Sequence, residues 1–439
     1  MTRSLLLRVH PASAGSLPGV PVRIAGGARA STELGAERTT IDVALADRSL
    51  ADNRWLIDQV VRASTAMVPC ERAELAPASG VDDDAALTLA LDLHNRFHEV
   101  RIERAGLAAA LARVGGLEDG YRAWVDEDPG TRTSLAIAAD VEAFARSHAD
   151  VTAEVLAEPE LREHGLRLLL AVGQGGDASP SRLVMARYAP AGSRAAPLML
   201  LGKGVTFDTG GINVKPYESF VPMMKNDMAG AALAFHLFKG LVEAGHPQPL
   251  LLVLPTCENA IGSRAMRPGT IVESHRGHKV RVDHTDAEGR LILADALSYA
   301  TDRYQPEQVI CFATLTTAAL IAYGPYATPV HFADPAFEAR LRAAAAAAGE
   351  DLHFFPERIW HYEANRDKEA DLRNTAGLPG NAARAAGSRN AAHFLRHFTD
   401  VPLCHLDIFA TTWNWAGDAP GAGYGATGAP LRTVLRALE

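Results

Sequence analysis

Leu198-Met199-Leu200-Leu201-Gly202-Lys203-Gly204-Val205-Thr206-Phe207-Asp208-Thr209-Gly210-Gly211 is the stretch that decides the fold. Its opening apolar run is too short for a helix and is closed by glycine, so it reads as a strand buried on both faces. Similar runs follow at Leu250-Leu251-Leu252-Val253-Leu254, Val309-Ile310-Cys311-Phe312 and Leu403-Cys404-His405-Leu406-Asp407-Ile408. Helix candidates lie between them, at Ala229–Ala244 and Leu291–Arg303. Continuous apolar strands separated by helices predict an α/β domain whose mostly buried central sheet is flanked by helices. In such sheets, ligands bind in the loops beyond the carboxyl ends of the strands.

Upstream the texture differs. Ile41-Asp42-Val43-Ala44-Leu45 alternates weakly, and Leu87 to Ala110 reads as one helical run rich in Leu, Ala and Arg. A smaller α/β N-terminal domain over residues 1–130, with a scaffold or assembly role, is expected. Asp128-Pro129-Gly130-Thr131 is a turn signal. Ser134 to His148 then reads as a connecting helix within residues 131–150, leaving residues 151–439 as the second, larger domain. The alanine-rich stretch Arg342 to Gly349 is read as plain helix.

Bulk composition narrows the function. The 439 residues are 48% hydrophobic and 22% charged, a globular balance, with a formal net charge of −9. That charge argues against nucleic acid as the main partner. Cys70, Cys257, Cys311 and Cys404 form no CxxC pair, which argues against a thiolate zinc site and for isolated core thiols. Leu5-Leu6-Leu7 is cut short by Arg8, and no apolar run reaches membrane length. The expectation is a cytoplasmic protein with no membrane partner.

The chemistry gathers at the strand ends. Lys203 and Asp208 share the glycine-rich loop, Lys215 follows, Asp227 precedes one helix, and Asp286, Glu288 and Arg290 precede another. Each has a bland reading. Thr285-Asp286-Ala287-Glu288 fits a capping box, and Asp227 could cap its helix. Arg290 could be an exposed arginine at a helix start, although a cation there opposes the helix dipole. Together, four carboxylates at one sheet edge would repel unless cations neutralise them. Two divalent ions would balance them, and oxygen ligands suit Zn²⁺, Mn²⁺, Mg²⁺ or Co²⁺. Metal pairs roughly 3.5–4 Å apart are a hydrolytic arrangement that aminopeptidases, among others, use.

At these residues the chain resembles the cytosolic leucyl aminopeptidase family. The matching stretches are Gly202–Gly211, the Lys215 region, Met224–Ala232, Thr285–Leu291, Ala313-Thr314-Leu315-Thr316, His405–Ile408 and Gly425-Ala426-Thr427-Gly428. They match in order and spacing from residue 150 onward. The resemblance implies an aminopeptidase acting on peptides with a free N-terminus, with two divalent metals per subunit, Zn or Mn foremost. Asp208 and Glu288 would bridge the metals, Lys203 and Asp227 would complete the tighter site, and Asp286 the more exchangeable one. Lys215 would face the substrate carbonyl, and Arg290 would hold a bicarbonate acting as general base. The metals would acidify a bridging water. The resemblance also implies a homohexamer.

The chain departs from the family beside these motifs. His284 stands where the family usually has Asn and is read as a supporting hydrogen-bonder. Thr317 replaces a usual Gly, and Phe409 a usual small residue. By the resemblance, Thr314, Thr317 and Phe409, with Met224 and Thr412, surround the pocket for the first side chain. A phenyl ring takes volume there, so a preference for small first residues is expected. The stretch from Asp371 to Asn381 is read as an active-site loop or a subunit contact. Two rival readings are a non-catalytic metal-binding or assembly protein of the same fold, and an amidase acting on another amide.

Overall fold

A computed structural model describes residues 4–10, 20–23, 29–34, 38–45, 48–67, 70–376, 386–415 and 422–439. Packing divides the chain into two units. One joins Met1–Gly120 with Ala339–Asp351 and Asn414–Leu438; the other holds Tyr121–Glu338 and Leu352–Trp413.

The first unit is built on a six-stranded sheet in the order Val20–Arg23, Arg29–Leu34, Arg38–Ala44, Ser4–His10, Arg72–Pro77, Glu99–Ile102. The last four strands run parallel. The Leu87–Ala110 run is not one helix. The helix Asp83–His94, capped by the Asp82 carboxylate, ends at Asn95, and the next helix starts only at Leu107. Between them Glu99-Val100-Arg101-Ile102 pairs with Arg72–Leu75. Its short two-residue alternation was hidden inside a helix-forming composition.

The second unit carries a nine-stranded sheet. Its main path runs Asp351–Phe355, Ala327–His331, Leu403–Asp407, Gln308–Ala313, Leu198–Gly202, Leu250–Asn259, Arg182–Tyr188, Val151–Leu156, and Gly204–Asp208 pairs with the upper half of Leu250–Asn259. The four apolar runs of the sequence are its parallel centre. Strands Leu198–Gly202 and Leu403–Asp407 are buried along their whole length. The helices Ala229–Glu243 and Gly289–Tyr304 are also buried over most of theirs, the second with polar groups such as Asp295 and Ser298 inside. Ser134–Arg146, capped by Thr133, packs on the antiparallel margin at Val151–Leu156 and Arg182–Tyr188. Cys257, Cys311 and Cys404 are buried thiols. Among the described residues no helix is long and apolar enough to cross a membrane.

This strand order fixes where a site can form. From Leu198–Gly202 the chain moves to one neighbour, Leu250–Asn259, and then returns to the opposite neighbour, Gln308–Ala313. The loops leaving the two adjacent strands Leu198–Gly202 and Gln308–Ala313 therefore diverge and open a crevice at their carboxyl ends. Lys203 and Thr314 are the first residues of those two loops.

Candidate metal centre

Lys203 is anchored by its backbone N–H to the carbonyl of Phe312 at 3.0 Å. Its buried ammonium lies 2.7 Å from Asp227 and 2.8 Å from Glu288, and donates to the Thr314 carbonyl at 2.8 Å. The side chain passes so close to Gly289 that a Cβ there would sit 2.5 Å from its Cε. Glycine at the start of that helix is thus required by the lysine.

Asp208 ends the strand Gly204–Asp208. Its Oδ1 accepts from Asn259 at 2.7 Å and from the Gly210 N–H at 2.9 Å. Its Oδ2 lies 2.7 Å from the Lys215 ammonium, which also reaches Asp286 at 2.5 Å. Gly210 takes φ +86°, and a Cβ there would lie 2.5 Å from the Asn213 carbonyl oxygen. That turn returns Lys215 to the carboxylates.

Both capping readings fail on the geometry. The Asp227 carboxylate accepts from Lys203 and from the Thr314 hydroxyl at 2.9 Å, while Met228 stands at the helix start. Glu288 occupies the N-cap position of Gly289–Tyr304 without a side-chain cap bond. The Thr285 hydroxyl donates instead to the Gly210 carbonyl at 2.6 Å and accepts from the Asn213 N–H at 2.9 Å. It ties the Asp208 loop to the Asp286 loop.

Carboxylate oxygens of Asp208, Asp227 and Glu288 lie within 4.8 Å of one another, all buried. Four carboxylates are met by two lysines, leaving negative charge in excess. Burial and the neighbouring carboxylates push Asp227 well above the usual carboxylate range, and burial with Asp208 pushes Asp286 up to about 7. Burial would raise Glu288 too, but Lys203 and Lys215 hold it down at about 2. Asp227 Oδ2 has no hydrogen-bond partner among the described residues. Clustered oxygen donors, a partnerless carboxylate oxygen and a deficit of positive charge fit divalent cations. Burial lowers the Lys203 pKa, yet the carboxylates around it win and keep it protonated. Its lone pair becomes available only where incoming positive charge replaces the proton.

Arg290 is buried in the first turn of its helix, and its Nε has no partner among the described residues. Burial lowers it to about 10 against the charges of Glu288 and Asp407. A buried guanidinium with an unused Nε–H has a donor that could meet an anion. His284 accepts the Asp286 N–H on Nδ1 at 3.2 Å, and its own carbonyl accepts from Asn374 at 2.7 Å. It thus props the backbone that carries Asp286.

A cavity of about 910 Å³ opens over the cluster, lined by Lys203, Asp208, Lys215, Asp227, Asp286 and Glu288. Met224, His284, Arg290, Thr314, Thr317 and Phe409 share its wall. Thr412 does not. Its buried hydroxyl accepts from Asn226 at 3.1 Å, beside Asp227 rather than in the cavity. From the Asp371–Asn381 stretch, Thr375 and Ala376 reach the wall, while residues 377–381 lie outside the described residues. Sequence reading missed Asn259, Asn374 and the Thr314 carbonyl. Amides and carbonyls act here by position alone, and no spacing announced them.

A family model described as the cytosol aminopeptidase family, catalytic domain, matches residues 121–435. A protein of Acidovorax sp. (strain JS42), described as "Probable cytosol aminopeptidase", is 37% identical over 332 residues, 75% of this chain and 64% of its own length. The chain thus spans less than two thirds of that relative. Among solved structures, the bottromycin maturation enzyme BotP in complex with Mn superposes with a TM-score of 0.81 at 28% identity, covering 99% of this chain and 98% of that one. The cytosol aminopeptidase from Coxiella burnetii does so at 0.79 and 25% identity, covering 93% and 88%. The family match spans both the parallel sheet and every residue of the carboxylate cluster, and the chain belongs to the cytosol aminopeptidase family.

Proposed function

We propose that the chain is a metal-dependent aminopeptidase that releases N-terminal residues from peptides. The observation that carries this is the buried Asp208, Asp227 and Glu288 cluster, under-neutralised by Lys203 and Lys215 and open to a large cavity. Asp208 and Glu288 would be shared between two divalent ions, with Lys203 and Asp227 on one and Asp286 on the other. Zn²⁺ and Mn²⁺ suit the set best, with Mg²⁺ and Co²⁺ as alternatives; Mn accompanies the BotP structure. When bound, such ions supply Lewis acidity and a water acidic enough to ionise near neutral pH.

The chain's own residues do the rest. Lys215 lies on Asp208 and Asp286 beside the cavity, and with those carboxylates holding cations its ammonium would face the cavity. There it stabilises the negative oxygen of the tetrahedral intermediate. Arg290 would hold a small anion, bicarbonate in our reading, which would supply a proton acceptor to the site. Thr314 orients Asp227, and Asn259 orients Asp208. A free, neutral substrate amine would serve as a ligand that registers the first peptide bond.

Phe409, Thr317 and Met224 bound the space for the first side chain, and we propose a preference for small first residues. Residues 1–130 would serve assembly, into a cytoplasmic homohexamer. The test compares Gly-, Ala- and Leu-amides, free and N-acetylated, with Mn²⁺, Zn²⁺ or chelator. Free amides alone should be cleaved, chelator should abolish cleavage, and Phe409→Ala should raise kcat/KM for Leu-amide by roughly tenfold. Cleavage of the acetylated forms would replace an aminopeptidase by another amidase. A clear wild-type preference for Leu-amide would remove the small-residue reading.

A further inference from the structure

The segment between Asp208 and Asp227 carries more than Lys215. Ile212, Val214, Tyr217 and Phe220 are all large, apolar and exposed, at 42%, 55%, 86% and 40%. Single exposed apolar residues need no explanation, but four within one short loop beside a catalytic cavity form a patch. Val214, Pro216 and Phe220 line the same cavity as the carboxylates. Phe220 holds a left-handed backbone, φ 59° and ψ 32°, where glycine would sit without strain. A bulky ring is kept where the backbone disfavours it. Thr375, Ala376 and Gly387, also on the wall, are small.

The cavity is much larger than one residue needs. At about 910 Å³ it is near the upper end of pockets that enclose whole drug-sized ligands, roughly 300–1,000 Å³. With the amine at the carboxylates and the first side chain toward Phe409, the loop carrying Val214 and Phe220 is a wall of the cavity left to meet the remaining peptide. Resting on the aminopeptidase reading above, we propose that Val214 and Phe220 form an apolar lip binding the second and third residues of the substrate. The preferred substrates are then peptides of three or more residues with apolar side chains after the scissile bond.

The test uses Ala-Leu-Leu, Ala-Ser-Ser and Ala-amide, which share one first residue, on the full chain with Mn²⁺. The ratio of kcat/KM for Ala-Leu-Leu over Ala-Ser-Ser should be about tenfold or more. Val214→Ser should reduce that ratio several-fold. Phe220→Gly should do the same while keeping the left-handed backbone. The double variant should bring the ratio to within about twofold of unity, since both side chains of the lip are then gone. Hydrolysis of Ala-amide with a wild-type ratio near one overturns the lip and leaves the aminopeptidase reading standing. A ratio that survives both substitutions also overturns it. So does a change of particle mass by light scattering with the ratio intact, which would make the loop a subunit contact. Failure to cleave any of the three, Ala-amide included, removes both readings together.

Discussion

Lys203 and Lys215 are chemically alike and differently placed. Lys203 is clamped by two carboxylates and a carbonyl, with Gly289 against its stem. Among the described residues the Lys215 ammonium pairs with Asp208 and Asp286, beside the cavity. Lys215→Met should therefore lower kcat by about a hundredfold or more with a small change in KM, the pattern of a group acting mainly on the transition state. Steady-state kinetics on Ala-amide checks this; a rise in KM with kcat intact would make Lys215 a ground-state binder. At this scale the sequence was legible where chemistry coincides with a strand end. Asp208, Asp227, Asp286, Glu288 and Lys203 meet at the crevice because each lies where a strand ends or a helix begins, while Lys215 is returned there by the turn at Gly210. Thr412 was not legible, since a hydroxyl beside a pocket motif can face Asn226 as easily as the cavity.

The elements were read correctly where burial is continuous and misread where composition masked a period. The four apolar runs are strands because nothing polar interrupts them, whereas Glu99–Ile102 is too short to stand out from Leu- and Ala-rich flanks. Long-range caps are invisible in any window. The Asp295 carboxylate, on the helix Gly289–Tyr304, accepts the N–H groups of Leu168 and Leu169 at 2.6 and 3.2 Å, at the start of the helix Arg167–Gly173. It accepts a third from His275 at 2.9 Å. Asp295→Ala strands three backbone donors in a buried place and should cost roughly 3 kcal/mol or more, read from urea unfolding. A loss under about 1 kcal/mol would show that the cap is dispensable. The helix Ala229–Glu243 hides a different liability. His236 donates from Nδ1 to the Ala232 carbonyl at 2.8 Å, and burial lowers its pKa to about 4. Between its usual pKa near 6.5 and about 4, the unfolded chain binds a proton that the folded one refuses. His236 therefore costs nothing above pH 6.5, and stability falls as pH drops from there toward 4, by about 3 kcal/mol in all. His236→Gln should flatten that acid limb in unfolding curves taken at pH 7.5 and 5. An unchanged limb would place the acid sensitivity elsewhere.

At the scale of the whole molecule, strand order and chain return decide what the sequence could not. The crevice exists because Leu198–Gly202 is flanked by strands formed before and after a reversal, and no local pattern encodes that order. Nor does any pattern announce that the first unit is assembled from three separated stretches. Its joints are polar and buried. Arg54 pairs with Asp92 at 2.8 Å and donates to the carbonyls of Ala348 and Gly349, which fastens the middle stretch. Arg432, in the terminal helix Leu431–Leu438, reaches Glu118 at 2.5 Å and Asp92 at 2.7 Å, which fastens the last. Asp92 thus links both returning stretches. Burial would raise it, yet Arg54 and Arg432 hold it below the usual carboxylate range. Removing one partner of such a network leaves uncompensated buried charge, which costs more than the pair itself contributes. Arg432→Leu should therefore destabilise the first unit by about 3–5 kcal/mol. The loss should appear in guanidinium unfolding and as early hydrogen exchange in Leu431–Leu438. Adding Glu118→Gln to Arg432→Leu should recover part of it, because the stranded carboxylate is then gone. If the double variant is no more stable than the single one, the damage comes from lost packing of the arginine stem, and Glu118 is not the group left stranded.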